Sequence, residues 1–230
     1  MNKGKKAKAG KQVIKKPRSK KNVQEKEKLF SENVYPIVGI GASAGGLAAI
    51  ESFLKAIPTD ISCNTAFVIV QHLDPTHKSI LIDLVKQYTK LKAYIIENGI
   101  KLKPNCVYVI PPNHDVALLN GKLILTERDY PHGYHLPIDS FFRSLAADQK
   151  DRAICIVLSG TGTDGTLGLK AVKGEGGMAI VQSPESAGYD GMPRSAISTG
   201  LVDYILPPDE MAEILLQYVK RVFHNRVIIQ

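Results

Sequence analysis

Tyr35-Pro36-Ile37-Val38-Gly39-Ile40-Gly41-Ala42-Ser43-Ala44-Gly45-Gly46 is the stretch on which the fold turns. A short apolar run (Ile37, Val38, Ile40) stops at small residues. An amphipathic run follows, with Leu47, Ile50, Phe53, Leu54 and Ile57 at helical spacing. The expected order is strand, tight turn, helix. Ser43 sits at the turn in the pattern Gly41-x-Ser43-x-Gly45, where small neighbours let a strained backbone lift a hydroxyl to the C-terminal edge of a sheet. It would also stand near a helix N-terminus, whose free N–H groups favour developing negative charge. Three readings stay open on this stretch alone. Ser43 is a nucleophile, or the glycines serve close helix–strand packing with Ser43 as an N-cap, or Gly39-x-Gly41-x-x-Ala44 is a loose dinucleotide fingerprint.

Outward from this turn, strand and helix patterns alternate. Apolar strands are expected at Thr65–Val70, Ala93–Ile96, Val107–Ile110, Ala153–Leu158, Met178–Val181 and Val202–Leu206. Between them, helices are expected from about Ser79, over Ser140–Ala147 with Asp139 as cap, over Leu167–Val172, and over Pro193–Thr199 with Pro at the first position. A final helix carries Met211, Ile214, Leu215, Tyr218, Val219 and Val222 on one stripe. Ala117–Leu125 reads as a hairpin turning at Asn120-Gly121. Asp129–Pro137 is a loop rich in His, Tyr and Pro, and Tyr189–Pro193 a loop at the rim of a pocket. Near-continuous apolar strands interleaved with helices imply an α/β fold: a doubly wound, mostly parallel sheet with helices on both faces, Rossmann-like, with one small antiparallel hairpin. Ligands and catalysis gather at the C-terminal strand ends of such sheets.

The 230 residues suffice for one sizeable α/β domain, and a hydrophobic content of 44% supports a core. The net charge of +8 is local. Residues 1–30 hold twelve of the 30 Lys/Arg and two of the 22 acidic residues, so the remainder is nearly neutral. We divide the chain into a basic tail (1–31), a catalytic domain (32–223) and a C-terminal tail (224–230). The first tail is expected to be disordered and solvated, with contact to an anionic membrane surface as its sharper use. Without aromatic residues among its lysines it is not suited to specific nucleic-acid reading. Cys63, Cys106 and Cys155 are few, odd in number and without metal-ligand spacing; Cys106 and Cys155 lie in apolar runs. With no signal core and no apolar run of membrane-spanning length, a soluble cytoplasmic protein is expected.

Three strand ends carry chemistry: Ser43, His72 and Asp164. A parallel sheet brings them to one edge. Serine needs a base to take its proton, histidine titrates near working pH, and an imidazole needs a carboxylate to fix its tautomer. The Gly160-Thr161-Gly162 turn beside Asp164 is a source of oxyanion-binding N–H groups. Taken singly, His72 is equally a core histidine, and Asp164 a helix cap. His77, His114, His132, His135 and His224 show no metal spacing and read as surface or loop residues. No cofactor and no metal is called for. The dinucleotide reading weakens, because the strand ending at Gln71-His72 lacks the acidic residue that would hold a ribose. An ordinary α/β-hydrolase is disfavoured by the chain order Ser, His, acid.

Gly41-Ala42-Ser43-Ala44-Gly45-Gly46, Gln71-His72, Leu158-Ser159-Gly160-Thr161-Gly162-Thr163-Asp164-Gly165 and Gly191-Met192-Pro193-x-Ser195-Ala196, together and in this order, resemble the catalytic domain of the chemotaxis-type (CheB-type) protein-glutamate methylesterases. The resemblance runs from about residue 35 to 219. It implies Ser43 as nucleophile, His72 as general base, Asp164 as its orienting carboxylate and the Thr161 N–H in the oxyanion hole. It also implies release of methanol from methylated glutamates on chemoreceptor or similar helical signalling proteins, with glutamine deamidation in some members. Residues 1–34 are too short for the receiver domain of familiar members. The wording Gln71-His72-Leu73-Asp74-Pro75-Thr76-His77 looks more like the methylesterase module of methylesterase–methyltransferase fusions. No methyltransferase region follows, so such a partner is expected as a separate chain. The rival expectations are a catalytically silent signalling scaffold on the same fold and a nicotinamide-dependent enzyme.

Overall fold

β1 (Ile37–Ala42) is buried along its whole length, as its apolar and glycine composition requires. It lies at the centre of a seven-stranded sheet in a computed structural model that describes residues 1, 35–58, 63–71, 80–127 and 135–224. With the exception of Met1, the basic tail lies outside the described residues, as do residues 225–230 of the C-terminal tail. The chain divides into units Met1–Val34 and Tyr35–Gln230, and the second is described below.

In chain order the main sheet takes β1, β2 (Ala66–Gln71), β3 (Lys92–Ile95), β5 (Cys106–Val109), β8 (Ala153–Val157), β9 (Met178–Gln182) and β10 (Tyr204–Leu206). Their spatial order is β10-β9-β8-β1-β2-β5-β3, and every pairing is parallel. From β1 the chain first builds outward through β2; it then returns to the other flank of β1 and builds outward through β8, β9 and β10. The order therefore reverses between β1 and β8, which is where open α/β sheets form their ligand crevice.

Alternation along β1 sends side chains to two helical layers. On one face, a Cβ at Gly39 would stand 2.9 Å from Phe141 and Phe142, and one at Gly41 would overlap Ile138. These glycines let α3 (Pro137–Gln149) lie directly on the strand, burying Phe141, Phe142 and Leu145 completely. Each such side chain contributes about 1.5–3 kcal/mol. Close packing is thus what Gly39-x-Gly41 does. On the other face α1 (Gly46–Ala56) puts Phe53 edge-on to Phe67 of β2, with ring centroids 6.0 Å apart. There α1 also packs against α2 (Ile80–Tyr88) and, through the apolar stripe Met211, Leu215 and Val219, α6 (Pro208–Val219). α4 (Thr166–Gly174) joins α3, and α5 (Gly191–Ile197) packs over β8 and β9. Among the described residues no helix is long and apolar enough to cross a membrane.

The small sheet is larger than a hairpin. β6 (His114–Leu119) and β7 (Lys122–Glu127) turn through Asn120 (φ 51°) and Gly121 (φ 70°), as an Asn-Gly type I′ turn requires. β4 (Ile100–Lys101) adds a third antiparallel strand beside β7. Ser144 of α3 accepts the Leu118 N–H at 2.9 Å, so α3 is clasped between the two sheets. Two helix starts differ from the expectation. α3 begins at Pro137, so Asp139 lies in its first turn and does not cap it. α5 begins at Gly191, placing Pro193 third.

Candidate active site

Ser43 leaves the end of β1 half-buried, and two neighbours fix its backbone. Its N–H donates to the Ser159 carbonyl just beyond β8 (2.9 Å), and its carbonyl accepts the Gly46 N–H (2.9 Å). Gly45 takes φ 70° to open α1, a left-handed conformation that is costly for a residue with a Cβ. Gly160 follows closely. A Cβ there would stand 2.9 Å from the Ser43 Cβ and overlap the Met192 sulfur. Adjacent ends of β1 and β8 therefore grip the serine from two sides.

Asp164 lies at the next turn after β8 and is 2% exposed. Its carboxylate accepts three backbone N–H groups: Asp139 (2.8 Å) and Gly165 (2.8 Å) on Oδ1, and Ile138 (3.1 Å) on Oδ2. Ile138 and Asp139 belong to the first turn of α3, so Asp164 caps that helix at the positive end of its dipole. An ionised carboxylate offers about four lone-pair sites, which leaves capacity for an imidazole N–H. α3 returns the favour. Asp139 Oδ1 accepts the Gly168 N–H of α4 at 2.7 Å, so α4 is held by a carboxylate from α3, and α3 by one from the turn that leads into α4. A Cβ at Gly168 would strike Phe142, and glycine there permits this close approach.

Asp139 Oδ2 is buried and has no hydrogen-bond partner among the described residues. Burial, with the nearby Asp164 charge as a lesser cause, holds the Asp139 carboxyl above its ordinary 3.8, against the opposing effects of the Gly168 N–H and the Arg143 guanidinium. A carboxyl whose folded pKa exceeds its unfolded one contributes stability below the unfolded value and loses it as pH rises through the folded value. Asp139→Asn keeps an acceptor for Gly168 and removes the charge. Urea unfolding of both proteins should show the variant gaining on the parent as pH rises from the ordinary carboxylate value through the raised one. A difference that stays constant with pH would mean that Asp139 is not destabilised by ionisation.

Between Thr161 and Gly162 on one wall and residues 187–191 on the other lies an open cleft of about 520 Å³. Ser159 ties its two walls together. The Ser159 hydroxyl lies 2.8 Å from the Ala44 carbonyl and 3.2 Å from the Tyr189 carbonyl, and accepts the Tyr189 N–H at 3.0 Å. The Ser159 N–H donates to Gln182 Oε1 (2.8 Å), and the Gln182 amide donates to the Ser186 carbonyl (3.0 Å). Sequence reading quoted Ser159 only inside a motif, because its partners lie up to 115 residues away. Thr161 is exposed on the cleft, and among the described residues no acceptor faces its N–H.

His72 lies outside the described residues, as do His77, His132 and residues 128–134 of the expected His/Tyr/Pro-rich loop. β2 is described to its last residue, Gln71, which pairs with Ala42 of β1 immediately before Ser43. Of the other histidines, His114 opens β6 and is not in a loop, its Nδ1 2.7 Å from the Pro112 carbonyl. His135 pairs with Asp115 at 2.6 Å. All three cysteines are free and buried. Burial pushes the Cys63 and Cys155 thiols up, the opposite of what a reactive thiolate needs.

A family model described as CheB methylesterase matches residues 38–215. The protein-glutamate methylesterase/protein-glutamine glutaminase of group 3 operon from Rhizobium meliloti is 38% identical over 178 residues, which are 77% of this chain and 50% of that protein. A putative protein-glutamate methylesterase/protein-glutamine glutaminase from Leptospira interrogans is 32% identical over 184 residues, 80% of this chain and 94% of that one. The chain thus spans half the length of the first relative and nearly all of the second. The crystal structure of the Thermotoga maritima CheB methylesterase catalytic domain superposes with a TM-score of 0.73 at 30% identity, covering 81% of this chain and all of that domain.

Proposed function

Because the chain belongs to the CheB methylesterase family, we propose that it is a carboxylic ester hydrolase that removes γ-methyl esters from glutamate side chains of a chemoreceptor-like helical protein. The observation that supports this reading is that Ser43 directly follows β1 and Asp164 lies in the turn that follows the neighbouring parallel strand β8, at the reversal point of the sheet. His72 follows Gln71, whose strand pairing sets it beside Ala42.

In this reading Ser43 Oγ attacks the ester carbonyl while His72 takes the hydroxyl proton. The oxyanion is met by the Thr161 N–H; one such donor is worth about 2.7–4 kcal/mol in the transition state. Collapse of the tetrahedral species breaks the carbon–methoxy bond, and the leaving oxygen departs as methanol with the proton from His72. Water then gives a proton to His72 and attacks the acyl-enzyme, releasing glutamate and restoring Ser43. Asp164 holds the imidazole in the required tautomer throughout. With a glutaminyl side chain the same steps expel ammonia, consistent with the double names of the relatives. Residues 32–223 form the catalytic unit and work in the cytoplasm. The lysine-rich segment 1–31 suits contact with an anionic membrane surface near a receptor. A methyltransferase acting on the same side chains is a separate partner chain.

The test uses the full chain. It should release methanol from methylated receptors in membranes, and a serine-reactive phosphonate should label it at Ser43. Absence of both would leave a silent scaffold on a methylesterase fold.

A further inference from the structure

Tyr189 combines a fixed backbone with a free ring. Its N–H donates to the Ser159 hydroxyl (3.0 Å) and its carbonyl accepts the Gly160 N–H (2.9 Å). Both partners adjoin the segment that grips Ser43. The ring lies along the nucleophile turn: a Cβ at Gly45 would sit 3.1 Å from Tyr189 Cδ2. Yet the residue is 52% exposed and lines the cleft opposite Thr161 and Gly162. The adjoining lip carries Asp190, neutralised by Arg194 at 2.6 Å. The side chain thus presents a large apolar surface to solvent on the cleft, two residues from Ser43 along the Gly45 turn and outside the buried core.

We propose that Tyr189 is a specificity-determining residue: a preset aromatic wall that takes the aliphatic stem of the esterified side chain and the adjoining apolar surface of a protein substrate. This rests on the ester-hydrolase reading and names the feature by which that site prefers an ester carried on a protein to a small free ester. A tyrosine held by its backbone has two side-chain torsions left to fix, so it gives contact area at small entropic cost. Aromatic anchors at the centre of a contact carry a disproportionate share of its energy. A methyl-glutamyl side chain has a stem of two methylenes and an uncharged ester at its tip, and it requires an apolar wall more than an ionic partner.

The experiment compares kcat/KM for methanol release from methylated receptors in membranes with kcat/KM for hydrolysis of p-nitrophenyl acetate. It uses the full chain and its Tyr189→Ala and Tyr189→Phe variants. Tyr189→Ala should lower the ratio of the two values by about 10–100-fold, mainly through KM on the receptor, the range expected of an anchor. Tyr189→Phe, which keeps the ring, should restore the ratio to within about threefold of the parent. An equal loss on both substrates would overturn the proposal by making the ring a support for Ser43. An unchanged ratio in Tyr189→Ala would overturn it by making the wall irrelevant to selection. Failure of the underlying reading is seen separately, in the parent, as no methanol from methylated receptors.

Discussion

Replacing Ser43 with alanine should lower methanol release by about 10⁶-fold, the usual cost of deleting the nucleophile of a serine triad. The substitution removes one oxygen and keeps the Cβ that faces Gly160. The hydrogen bonds that fix residue 43, its N–H to Ser159 and its carbonyl from Gly46, are made by the backbone and survive. The thermal midpoint should therefore stay close to that of the parent, within the about 0.5 kcal/mol typical of changes that leave packing intact. Phosphonate labelling should vanish with the activity. A Ser43→Ala protein that releases methanol at the parent rate would place the nucleophile elsewhere, and the strand-end arrangement would then be structural only.

Asp164→Asn comes second and strikes two properties at once. If Asp164 orients the proposed base, neutralising it should lower kcat by about 10⁴-fold, as seen when a triad carboxylate becomes an amide. The same change should be visible in stability. Asparagine has one oxygen for three buried N–H groups, and its NH₂ would face one of them, donor against donor. Leaving a buried donor unsatisfied costs about 1–3 kcal/mol. Urea unfolding measures the second effect without reference to activity. A variant destabilised in this way but retaining kcat within about tenfold of the parent would leave Asp164 as a helix cap and nothing more.

The centre of the fold was legible because its local signals agree. In residues 35–57 the apolar run, the small-residue turn and the 3.6-residue period all point to β1, turn and α1, and Asn120-Gly121 carries its own turn geometry. The doubly wound, mostly parallel sheet followed from the alternation of apolar strands and helices. Misreadings arose where the deciding contact is remote in sequence. Asp139 looked like a local cap because aspartate favours that position, yet the group that caps α3 is Asp164, 25 residues further on. β4 is two residues long and too short to show a period. The rim position of Tyr189 was legible and the cleft bears it out, whereas the Ser159–Tyr189 hydrogen bond joins residues 30 apart and exists only after the chain has closed.

The exchange of carboxylates between α3 and the start of α4, through Asp139 and the Asp164 turn, also has a dynamic consequence. Neither helix start is self-sufficient: undocking α3 strips Gly168 of its acceptor, and displacing the turn that leads into α4 frees the Ile138 and Asp139 amides together. The two helices therefore open to solvent as one cooperative unit, and the amides at both starts share a single hydrogen-exchange event. Any fluctuation that loosens the unit also releases Asp164, so under the proposed mechanism the orienting carboxylate is lost whenever this helix pair opens.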